Sequence, residues 1–494
     1  MYDVLIPVAP SVILDTLHQH GFVAYVVGGC VRDSLLGRTP KDWDVCTSAT
    51  PNDVERCFSG HKIVETGIQH GTVTVFVGGA GIEVTTFRTE GEYSDHRRPD
   101  SVEFVSDITL DLSRRDFTMN AMAYSNETGL IDPFHGKESI ESKTIACVGN
   151  PDDRFQEDPL RIMRAIRFAS DYGFAINAHT AMSIHRNAKL LEQISAERIN
   201  SELCKILRGK NVLLTLLAYW DVLTVIIPEL SDCIGFDQNN RFHQYDVYEH
   251  IVHSVANYTG DDDVVNVALL LHDIGKPRCY TENETGGHFY QHQIPGYSIA
   301  LDVVSRLRFD GHSQHDIAEL VLFHNDSIEP TPRAVKKWLN KLGEKQFLRL
   351  MDMRLADIMA HAEGTQESKI AKRDAIVKLA HEIIASNQCF TVKDLAINGT
   401  DVMADGIPQG PMVGAALKTA LDGVINDKVP NEKQELLDYI QSYMDFIRNR
   451  TDVPVSETEP FCPFSFCRYC NAAYSDYCYI CDEPRKEWCC DKDS

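Results

Sequence analysis

The stretch of sequence that decides the fold is Gly28-Gly29-Cys30-Val31-Arg32-Asp33, then Leu36-Gly37-Arg38, then Asp42-Trp43-Asp44. The apolar run Phe22–Val27 before it predicts a strand, and a short helix is predicted from Val31. A Gly–Gly turn between a strand and a helix lets backbone N–H groups approach a phosphate closely. Arg32, one turn into that helix, can add a charge-assisted contact to the same phosphate.

The aspartate pair Asp42 and Asp44 predicts a divalent-metal site. On a strand the two side chains point to the same side, because the side-chain period is two. Adjacent carboxylates repel unless a cation lies between them, and their hard oxygens suit Mg²⁺. Two ions held this way can activate a hydroxyl and stabilise a departing pyrophosphate. A lone Asp-x-Asp is usually a solvated strand edge, but here turn, arginine and pair follow in order within residues 28–44.

Five domains are predicted along the chain. Residues 1–135 are expected to form an α/β domain, 136–212 a helical domain, and 213–385 a second helical block. Residues 386–450 predict short helices broken by turns, and 451–494 a linker with a Cys-rich end. The strands predicted for the first domain are Phe22–Val27, one at Val45, Lys62–Glu65, Thr72–Val77, Ile82–Thr86 and Val102–Val105.

The composition bounds the class of protein. A chain of 494 residues is too long for one hydrophobic core. The net charge of −24 argues against bulk attraction to nucleic acid, although phosphate contacts need only a local basic stripe. The longest apolar runs, such as Val264–Leu271, are too short to cross a bilayer, and the first residues lack the basic region of a signal peptide. We therefore expect a cytoplasmic protein with no membrane partner, while the oligomeric state is not indicated.

A second constellation predicts a metal site in the block 213–385. His272 and Asp273 follow a buried apolar run, where polar groups need a partner such as a metal ion. The order H…HD…H…H…D is similar to the HD phosphohydrolase superfamily. The candidate ligands are His250, His272, Asp273, His292, His324 and Asp357. Such a set would hold one or two transition-metal ions (Mn, Fe or Ni), with water as the nucleophile.

Two of these ligand assignments have alternatives. His288 competes with His292, which is favoured by its place at the start of a predicted helix. Asp326 competes with Asp357, which lies in a helical block. A single histidine is more often a core or surface residue than a ligand, so the prediction rests on the ordered set. Whether the site hydrolyses a phosphomonoester, a 2′,3′-cyclic phosphate or nothing is not indicated.

The segment Glu157–Phe168 predicts a helix suited to base recognition. Asp158, Arg161 and Arg164 follow at intervals of three and so share one face. A carboxylate accepts from an exocyclic amino group, and a guanidinium donates to a ring nitrogen or carbonyl. Cytosine and adenine both offer that pattern, whereas uracil and guanine reverse it. An ion-paired amphipathic helix is the alternative for such a segment.

Taken together, these motifs resemble those of class II tRNA nucleotidyltransferases and bacterial poly(A) polymerases. The likeness runs in register over roughly the first 450 residues, and several long motifs make it specific. The matching blocks are Gly28–Asp44, Asp111–Met122, Asp132–Gly136, Glu157–Phe168 and Glu197–Ile199. The block around Leu271–Lys276 also resembles the HD domain of some bacterial CCA-adding enzymes.

The resemblance implies a polymerase-beta-like α/β nucleotidyltransferase head, followed by largely all-α neck, HD and tail domains. It implies Mg²⁺-dependent addition of CCA to tRNA from CTP and ATP, with Asp42 and Asp44 catalytic. The residues that it assigns to nucleotide binding are Gly28, Gly29, Arg32, Arg115, Asp158, Arg161, Arg164 and Arg167. The loop Arg88–Pro99 resembles the flexible loop that full CCA-adding enzymes need for the final A. Glu83 is a candidate third carboxylate, although one acidic residue on a strand is usually just solvated.

The end of the chain carries a separate motif. Of the 15 cysteines, those up to Cys389 are scattered and are expected to be reduced thiols. The knuckles of a zinc-ribbon-like module are Cys467, Cys470, Cys478 and Cys481. This spacing predicts structural Zn²⁺, although the central spacer is shorter than in common zinc ribbons and a disulfide cluster is the alternative. The turns after Asp394 and Gly406 resemble the family's tRNA-gripping tail.

Other functions are also compatible with the sequence. A poly(A) polymerase, or an enzyme that adds only part of CCA, has the same fold. A protein of another class would be an HD phosphohydrolase whose head only binds RNA, or a scaffold with both sites inactive. The intact Asp42/Asp44 pair speaks against a pure binding module, because such a module has no need of adjacent repelling carboxylates.

Overall fold

The computed structural model describes residues 4–91, 101–240, 243–284, 286–450, 477–478 and 483–484. The chain divides into two compact units, Met1–Phe390 and Thr391–Ser494. This division lies close to the predicted boundary between residues 385 and 386, whereas the other predicted boundaries stay predictions. In the described part of the chain, no helix is both long and apolar enough to cross a membrane.

The first unit begins with a mixed sheet. Its strands, with two flanking it, are β1 Ala24–Val27, β2 Asp44–Thr47, β3 Ile63–Gly67, β4 Thr72–Val77, β5 Ala80–Thr86, β6 Arg88–Glu90, β7 Val102–Phe104, β8 Ala123–Ser125 and β9 Gly129–Ile131. Seven of them make one sheet in the order β3-β4-β5-β2-β1-β8-β9. Only β2 and β5 run parallel within it. The pair β6 and β7 forms a separate ribbon.

The sequence predicted the central strands of the sheet but not the edge formed by β8 and β9. Strands β1, β4 and β5 are apolar or alternating, and each was expected within a few residues. The hairpin of β8 and β9 was not predicted, because each strand has three residues and neither alternates clearly over that length. It nevertheless extends the sheet beside β1, so it covers the edge next to the strand that leads into the Gly28–Gly29 turn.

The remainder of the first unit is largely helical. Its helices, with those of the α/β region, are α1 Val8–Gln19, α2 Gly29–Leu35, α3 Pro51–Cys57, α4 Ile108–Ser113, α5 Gly136–Glu141, α6 Pro151–Glu157, α7 Leu160–Tyr172, α8 Ala178–Asn187, α9 Ala196–Leu207, α10 Val212–Ala218, α11 Trp220–Ile226, α12 Val247–Asn257, α13 Asp263–Leu271, α14 Gln293–Arg306, α15 Gly311–Phe323, α16 Pro332–Leu342, α17 Glu344–Met359 and α18 Glu367–Ala385. Short strand pairs are β10 Thr144–Ile145 with β11 Ala175–Ile176, and β12 Thr281–Asn283 with β13 Gly286–His288.

Helix α13 is the centre of the second half of this unit. Every residue from Val264 to Leu271 is buried, so the helix is apolar all round and needs neighbours on every side. Helices α12, α15 and α17 pack against it. The first residues after such a helix, His272 and Asp273, are therefore fixed inside the protein and not on its surface.

The second unit is described for its helices α19 Gly399–Ala404, α20 Pro411–Ile425 and α21 Lys433–Arg450. The side chain of Asn398 accepts from the N–H groups of Thr400 and Asp401, while Asp401 accepts from the N–H of Asn398. This reciprocal cap fixes the start of α19. Two short strands near the end are β14 Tyr477–Cys478 and β15 Glu483–Pro484.

A buried ion pair links the loop after α4 to α7. Both Nε and Nη2 of Arg164 donate to Asp116 Oδ2, at 2.9 and 2.7 Å. Asp116 Oδ1 accepts from Asn120 Nδ2 and from the N–H of Phe117. Burial alone would raise the pKa of Asp116, but the charges and hydrogen bonds, chiefly of Arg164 and Asn120, hold it well below its usual range. The carboxylate therefore stays charged inside the protein.

Replacing Arg164 with methionine is expected to destabilise the protein by about 2 kcal/mol, because it leaves a buried carboxylate without its cation. The cost stays below that of a fully buried pair because 37% of the Arg164 side chain is exposed. Urea denaturation measures it. The matched control is Arg56→Met, which removes a surface pair with Asp53 and is expected to cost under about 1 kcal/mol. Equal losses in the two variants would contradict the prediction.

Candidate functional site

Carboxylates from two neighbouring strands meet at one end of the sheet. Asp44 is the first residue of β2, and the parallel pairing sets it directly beside Glu83 of β5. Asp42 lies two residues earlier. The expectation that Asp42 is on the strand is wrong, because β2 begins at Asp44 and Asp42 belongs to the preceding loop. Strand ends are the least certain part of a sequence-based prediction. Glu83 was the weaker candidate, but its register gives it the closest defined relation to Asp44.

The electrostatics of this cluster suit a cation. Withdrawal from water raises the pKa of Asp44, the charges of Glu83 and Asp42 raise it further, and Arg115 lowers it. Asp44 itself remains accessible to solvent, and the repulsion between the neighbouring carboxylates favours a bound cation. Hard oxygen donors that repel one another at an accessible rim fit Mg²⁺.

Arg115 lies beside the glycine turn and interacts electrostatically with Asp44. Gly28 has φ +80°, which disfavours any residue with a Cβ, and a Cβ there would lie 3.0 Å from Arg115 Nη1. Nη2 of Arg115 donates to the buried Asp111 at 3.3 Å. Nε of Arg115 is buried and has no hydrogen-bond partner in the part of the chain that the structure describes. Gly28 thus makes room for a guanidinium that is held from one side only.

Arg32 is buried between the turn and α7. Its Nη1 donates to Asn120 Oδ1 at 2.6 Å, and its Nε donates to Asp33 Oδ1 at 2.9 Å. The guanidinium carbon lies 5.1 and 5.2 Å from the ring centroids of Phe168 and Tyr172. A phosphate contact by Arg32 therefore has to add to, or exchange with, contacts that already hold it.

Asp158 and Arg161 lie where α6 gives way to α7. The expectation that Asp158 shares a helical face with the arginines is wrong, because α7 begins at Leu160 and Asp158 has extended backbone angles. Pro159 follows it, and the residue before a proline is disfavoured in a helix. Asp158 Oδ2 accepts from Arg198 Nη2 at 2.8 Å, which joins two of the sequence motifs. Arg161 donates to Glu157 at 2.8 Å.

The other two arginines of α7 are also paired. Arg164 binds Asp116, as described above, and Arg167 Nε donates to Glu202 Oε2 of α9 at 2.6 Å. The guanidinium of Arg167 also lies 4.2 Å from the centroid of Phe168. The structure therefore brings Arg161 and Arg164 onto one helix, but each predicted base-recognition side chain already has an intramolecular partner. Their role in nucleotide binding stays a prediction.

A charged network at the base of the loop Arg88–Pro99 was not anticipated. Glu90 accepts from Arg88 and from Arg114, at 2.9 and 2.8 Å. Arg114 also donates to Asp111 at 2.7 Å, and its backbone oxygen accepts from Arg161 at 3.1 Å. The described start of the loop is thus tied to the residues around Arg115 and α7. Residues 92–99 of the loop lie outside the described part of the chain.

The HD-type residues converge in the second half of the first unit. His250 comes from α12, His272 and Asp273 follow α13, His292 precedes α14, His324 follows α15 and Asp357 lies on α17. His250 Nε2 lies 2.9 Å from Asp357 Oδ1 and 3.4 Å from Asp273 Oδ2. Two triads have donor atoms close enough for a metal ion, and they share Asp273: one with His250 and His272, the other with His292 and His324. All six predicted side chains are therefore together.

The histidine tautomers suit metal binding. Nδ1 of His272, His292 and His324 each bonds a backbone oxygen three residues earlier, at 2.7, 2.8 and 2.7 Å. A carbonyl only accepts, so Nδ1 carries the proton and Nε2 keeps a lone pair when the ring is neutral. Nε2 of His292 lies 3.1 Å from Nε2 of His324. Two lone pairs at this distance repel unless a proton or cation lies between them, which fits a metal ion.

Burial and neighbouring charges combine differently at His324 and at His272. Burial lowers the pKa of His324 to about 3, with the neighbouring histidines adding to the effect. Burial also opposes protonation of His272, but the Asp273 and Asp357 carboxylates outweigh it and raise its pKa to about 10. Burial favours the neutral acid of Asp273, yet His272 and Lys276 hold its pKa well below the usual range. The cluster is thus a compact set of anionic and imidazole donors.

The alternative ligands lie elsewhere. His288 is on β13, where its Nε2 pairs with Asn283 Oδ1 at 3.0 Å. The Asp326 carboxyl is outside both triads and faces the charges of Lys341 and Arg354. The geometry therefore favours His292 over His288 and Asp357 over Asp326.

Three further residues around this cluster were missed. Lys276 is buried, and its Nζ lies 2.7 Å from both Asp273 Oδ2 and Gln238 Oε1. His243 and His361 lie near His250, with their ring centroids 4.9 Å apart and their planes tilted by 45°. Lys276 follows the HD pair by one helical turn, which is a signal that the sequence offered. His243 and His361 carried no such signal, because lone histidines are common.

A cavity of about 730 Å³ opens onto the cluster. Asp273, His292, His324 and Asp357 line its inner part. The segment from Gly287 to Gln293 lines the side near α14. The predicted metal ligands are thus reachable by a small molecule or a chain end.

The comparisons with known families define the class of protein. The poly A polymerase head domain matches residues 24–146, and the family described as the probable RNA and SrmB binding site of polymerase A matches 173–234. The HD domain matches 243–380, and the second domain of tRNA nucleotidyltransferases matches 341–440. The carboxylate cluster falls within the first match and the His/Asp cluster within the third. The class is therefore a nucleotidyltransferase with an attached HD domain.

Individual relatives narrow this class to one family. A CCA-adding enzyme of Geobacillus kaustophilus is 51% identical over 89% of this chain and 96% of its own length. One of Lactobacillus delbrueckii is 33% identical over 87% and 96%. The crystal structure of the Bacillus stearothermophilus CCA-adding enzyme in complex with CTP matches with a TM-score of 0.70 and 32% identity, over 90% of this chain and all of that one. The chain belongs to the family of CCA-adding enzymes.

Proposed function

We propose that this protein adds C, C and A to the 3′ ends of tRNA from CTP and ATP and releases pyrophosphate. The observation that carries the proposal is the Asp42, Asp44 and Glu83 cluster opposite Gly28 and Arg115, in a chain that matches CCA-adding enzymes over nearly their whole length. A tRNA substrate also places the enzyme in the cytoplasm under this proposal.

The residues of the head divide the work. Asp42 and Asp44, with Glu83 beside them, would hold Mg²⁺, which would supply activation of the tRNA 3′-hydroxyl and neutralisation of phosphate charge. Gly28 lets the Arg115 guanidinium lie against the turn, since a Cβ there would be 3.0 Å from Arg115 Nη1. Arg115, whose Nη1 lies beside Gly28, supplies a positive charge that can pair with a phosphate oxygen. These residues would together position the nucleotide triphosphate next to the Asp42, Asp44 and Glu83 carboxylates.

Base choice is assigned to Asp158 and Arg161. A carboxylate and a guanidinium read the shared edge of cytosine and adenine, and uracil or guanine would leave both groups unpaired. Both side chains are paired in the protein, Asp158 with Arg198 and Arg161 with Glu157. A bound base would therefore have to replace Arg198 as the partner of Asp158 and Glu157 as the partner of Arg161. Arg164 and Arg167 would hold α7 in place, Arg164 by its pair with Asp116 and Arg167 by its pair with Glu202.

The test is incubation of the purified protein and Mg²⁺ with tRNA that lacks its CCA end, with labelled CTP and ATP supplied together and separately. Ordered incorporation of two C and one A is expected, with no A on this tRNA from ATP alone. Runs of A would instead identify a poly(A) polymerase, and two C without A a CC-adding enzyme. No incorporation at all would leave the HD domain as the working half.

A second activity is proposed for the HD domain, which is metal-dependent hydrolysis of a phosphoester. The observation that favours it is the pair of triads sharing Asp273, with their imidazole Nε2 atoms turned toward one another beneath an open cavity. The six ligands would hold Mn, Fe or Ni, which would supply an activated water. Zn²⁺ at Cys467, Cys470, Cys478 and Cys481 stays a prediction, since those side chains lie outside the described part of the chain.

A further inference from the structure

An exposed aromatic residue lies at the lip of the HD cavity. Tyr290 is 69% exposed, although it is one of the larger apolar side chains. One face of its ring stacks on His288, with the centroids 5.2 Å apart and the planes within 7°. Both residues line the cavity that opens onto the His/Asp cluster. Tyr290 therefore presents a flat, supported ring to whatever enters.

The backbone fixes this ring close to the metal ligands. His288 ends β13 and is held by Asn283, so the support of the stack is itself anchored. Gln291 has φ +58°, a left-handed conformation that costs free energy for a residue with a Cβ. That turn leads directly into His292, whose Nδ1 is bonded to Phe289. The Cα atoms of Tyr290 and His292, two residues apart, are separated by at most about 7 Å, so both residues belong to one compact site.

Stacked aromatic platforms bind nucleobases well, because every base has a flat face and the contact needs no particular hydrogen-bond pattern. The ring of Tyr290 is supported on one side and open to water on the other, which is the arrangement that a base can complete. The metal cluster nearby is suited to a phosphate. Platform and cluster together fit a nucleotide, or the terminal nucleotide of an RNA, better than a phosphate ester of a small aliphatic alcohol.

We propose that Tyr290 is the specificity-determining residue of the HD cavity and stacks on the base of a nucleotide whose phosphate group faces the His/Asp cluster. This inference rests on the proposed phosphohydrolase function for the choice of reaction, but the stacking itself is a binding property. Hydrolysis would transfer the phosphoryl group to water, giving phosphate and a nucleoside hydroxyl, so no further reactant is needed.

The experiment compares adenosine 3′-monophosphate with ribose 5-phosphate, which has no base. Hydrolysis of each is measured with the Mn²⁺-loaded full-length protein and with Tyr290→Ala, Tyr290→Phe and Tyr290→Trp. Tyr290→Ala is expected to raise KM for the nucleotide about tenfold or more, with kcat less affected and ribose 5-phosphate unchanged. The phenylalanine and tryptophan variants are expected to retain the wild-type KM. Tyr443→Ala, which removes another exposed aromatic ring, is the matched control.

Calorimetric titration of the metal-free proteins with adenosine 3′-monophosphate separates the two proposals. Binding by the head is common to all variants, so the difference between wild type and Tyr290→Ala reports the platform. Hydrolysis without any effect of Tyr290→Ala on KM or on binding would overturn the stacking and leave the hydrolase. Weaker binding in Tyr290→Ala, without hydrolysis of either phosphate by the wild type, would overturn the hydrolase and leave the platform. Equal losses for both phosphates would also contradict a role in base recognition.

Discussion

Replacing Asp44 with alanine is expected to lower the rate of CTP incorporation into tRNA about a thousandfold or more, the scale on which loss of charge stabilisation acts in phosphoryl transfer. Asp44 is the central member of its cluster, because it has Glu83 beside it in the sheet and Asp42 two residues before it. Its loss would remove a proposed metal ligand and a negative charge that interacts with Arg115. Asp42→Ala is expected to act similarly, and Glu83→Gln less.

Single-turnover incorporation with saturating CTP measures this effect, because it isolates the chemical step from product release. Asp15→Ala on α1 is the matched control, since Asp15 is an exposed carboxylate of the same region. It is expected to leave the rate within about twofold, as surface substitutions usually do. An Asp44→Ala variant with near wild-type incorporation would refute the assignment of the catalytic carboxylates.

The Asp273→Asn variant is expected to lose bound transition metal and any phosphoester hydrolysis while it retains CCA addition. Asp273 is the only residue shared by the two triads of the described chain, so its charge is needed for either ion. Asparagine keeps the shape of the side chain, which spares the packing around the buried helix end. Metal content of the purified protein, measured by elemental analysis, reports the effect without reference to activity.

The control for this variant is His312→Ala, which removes an exposed histidine at the start of α15. It is expected to bind as much metal as the wild type. Full metal content in Asp273→Asn would place the ion elsewhere and would refute the assignment of the metal ligands. Loss of CCA addition in the same variant would instead show that the cluster is needed for the fold of the first unit.

The head site could be found in the sequence because its residues lie close together in the chain, whereas the HD site was indicated by the order of its histidines and aspartates. Gly28, Arg32 and Asp44 are close in the chain, and the HD pair lies at the end of a helix that is visibly apolar. The placement of His272 and of His292 at helix ends was correctly predicted. Such local patterns survive folding because they are fixed by the backbone periodicity of single elements.

What the sequence could not reveal are contacts between distant segments. The register that sets Glu83 beside Asp44 depends on how two strands align, and nothing local determines it. Asp158 was placed on a helix that begins only after Pro159, and its partner Arg198 is forty positions away in the chain. Tyr290 shows no pattern at all, because an exposed tyrosine becomes notable only once its stacking and its cavity are known.

The position of Arg32 between the glycine turn and α7 has an energetic consequence. The same guanidinium contacts Asn120 and Asp33 of the α/β region and lies against Phe168 and Tyr172 of α7. Any ligand that draws Arg32 toward its phosphates changes the support of those two rings. Linkage is reciprocal: if this ligand changes the affinity of a second ligand that binds at α7, the second ligand changes the affinity of the first by the same factor. Phosphate binding at Arg32 and the position of α7 are thus coupled through a single free energy.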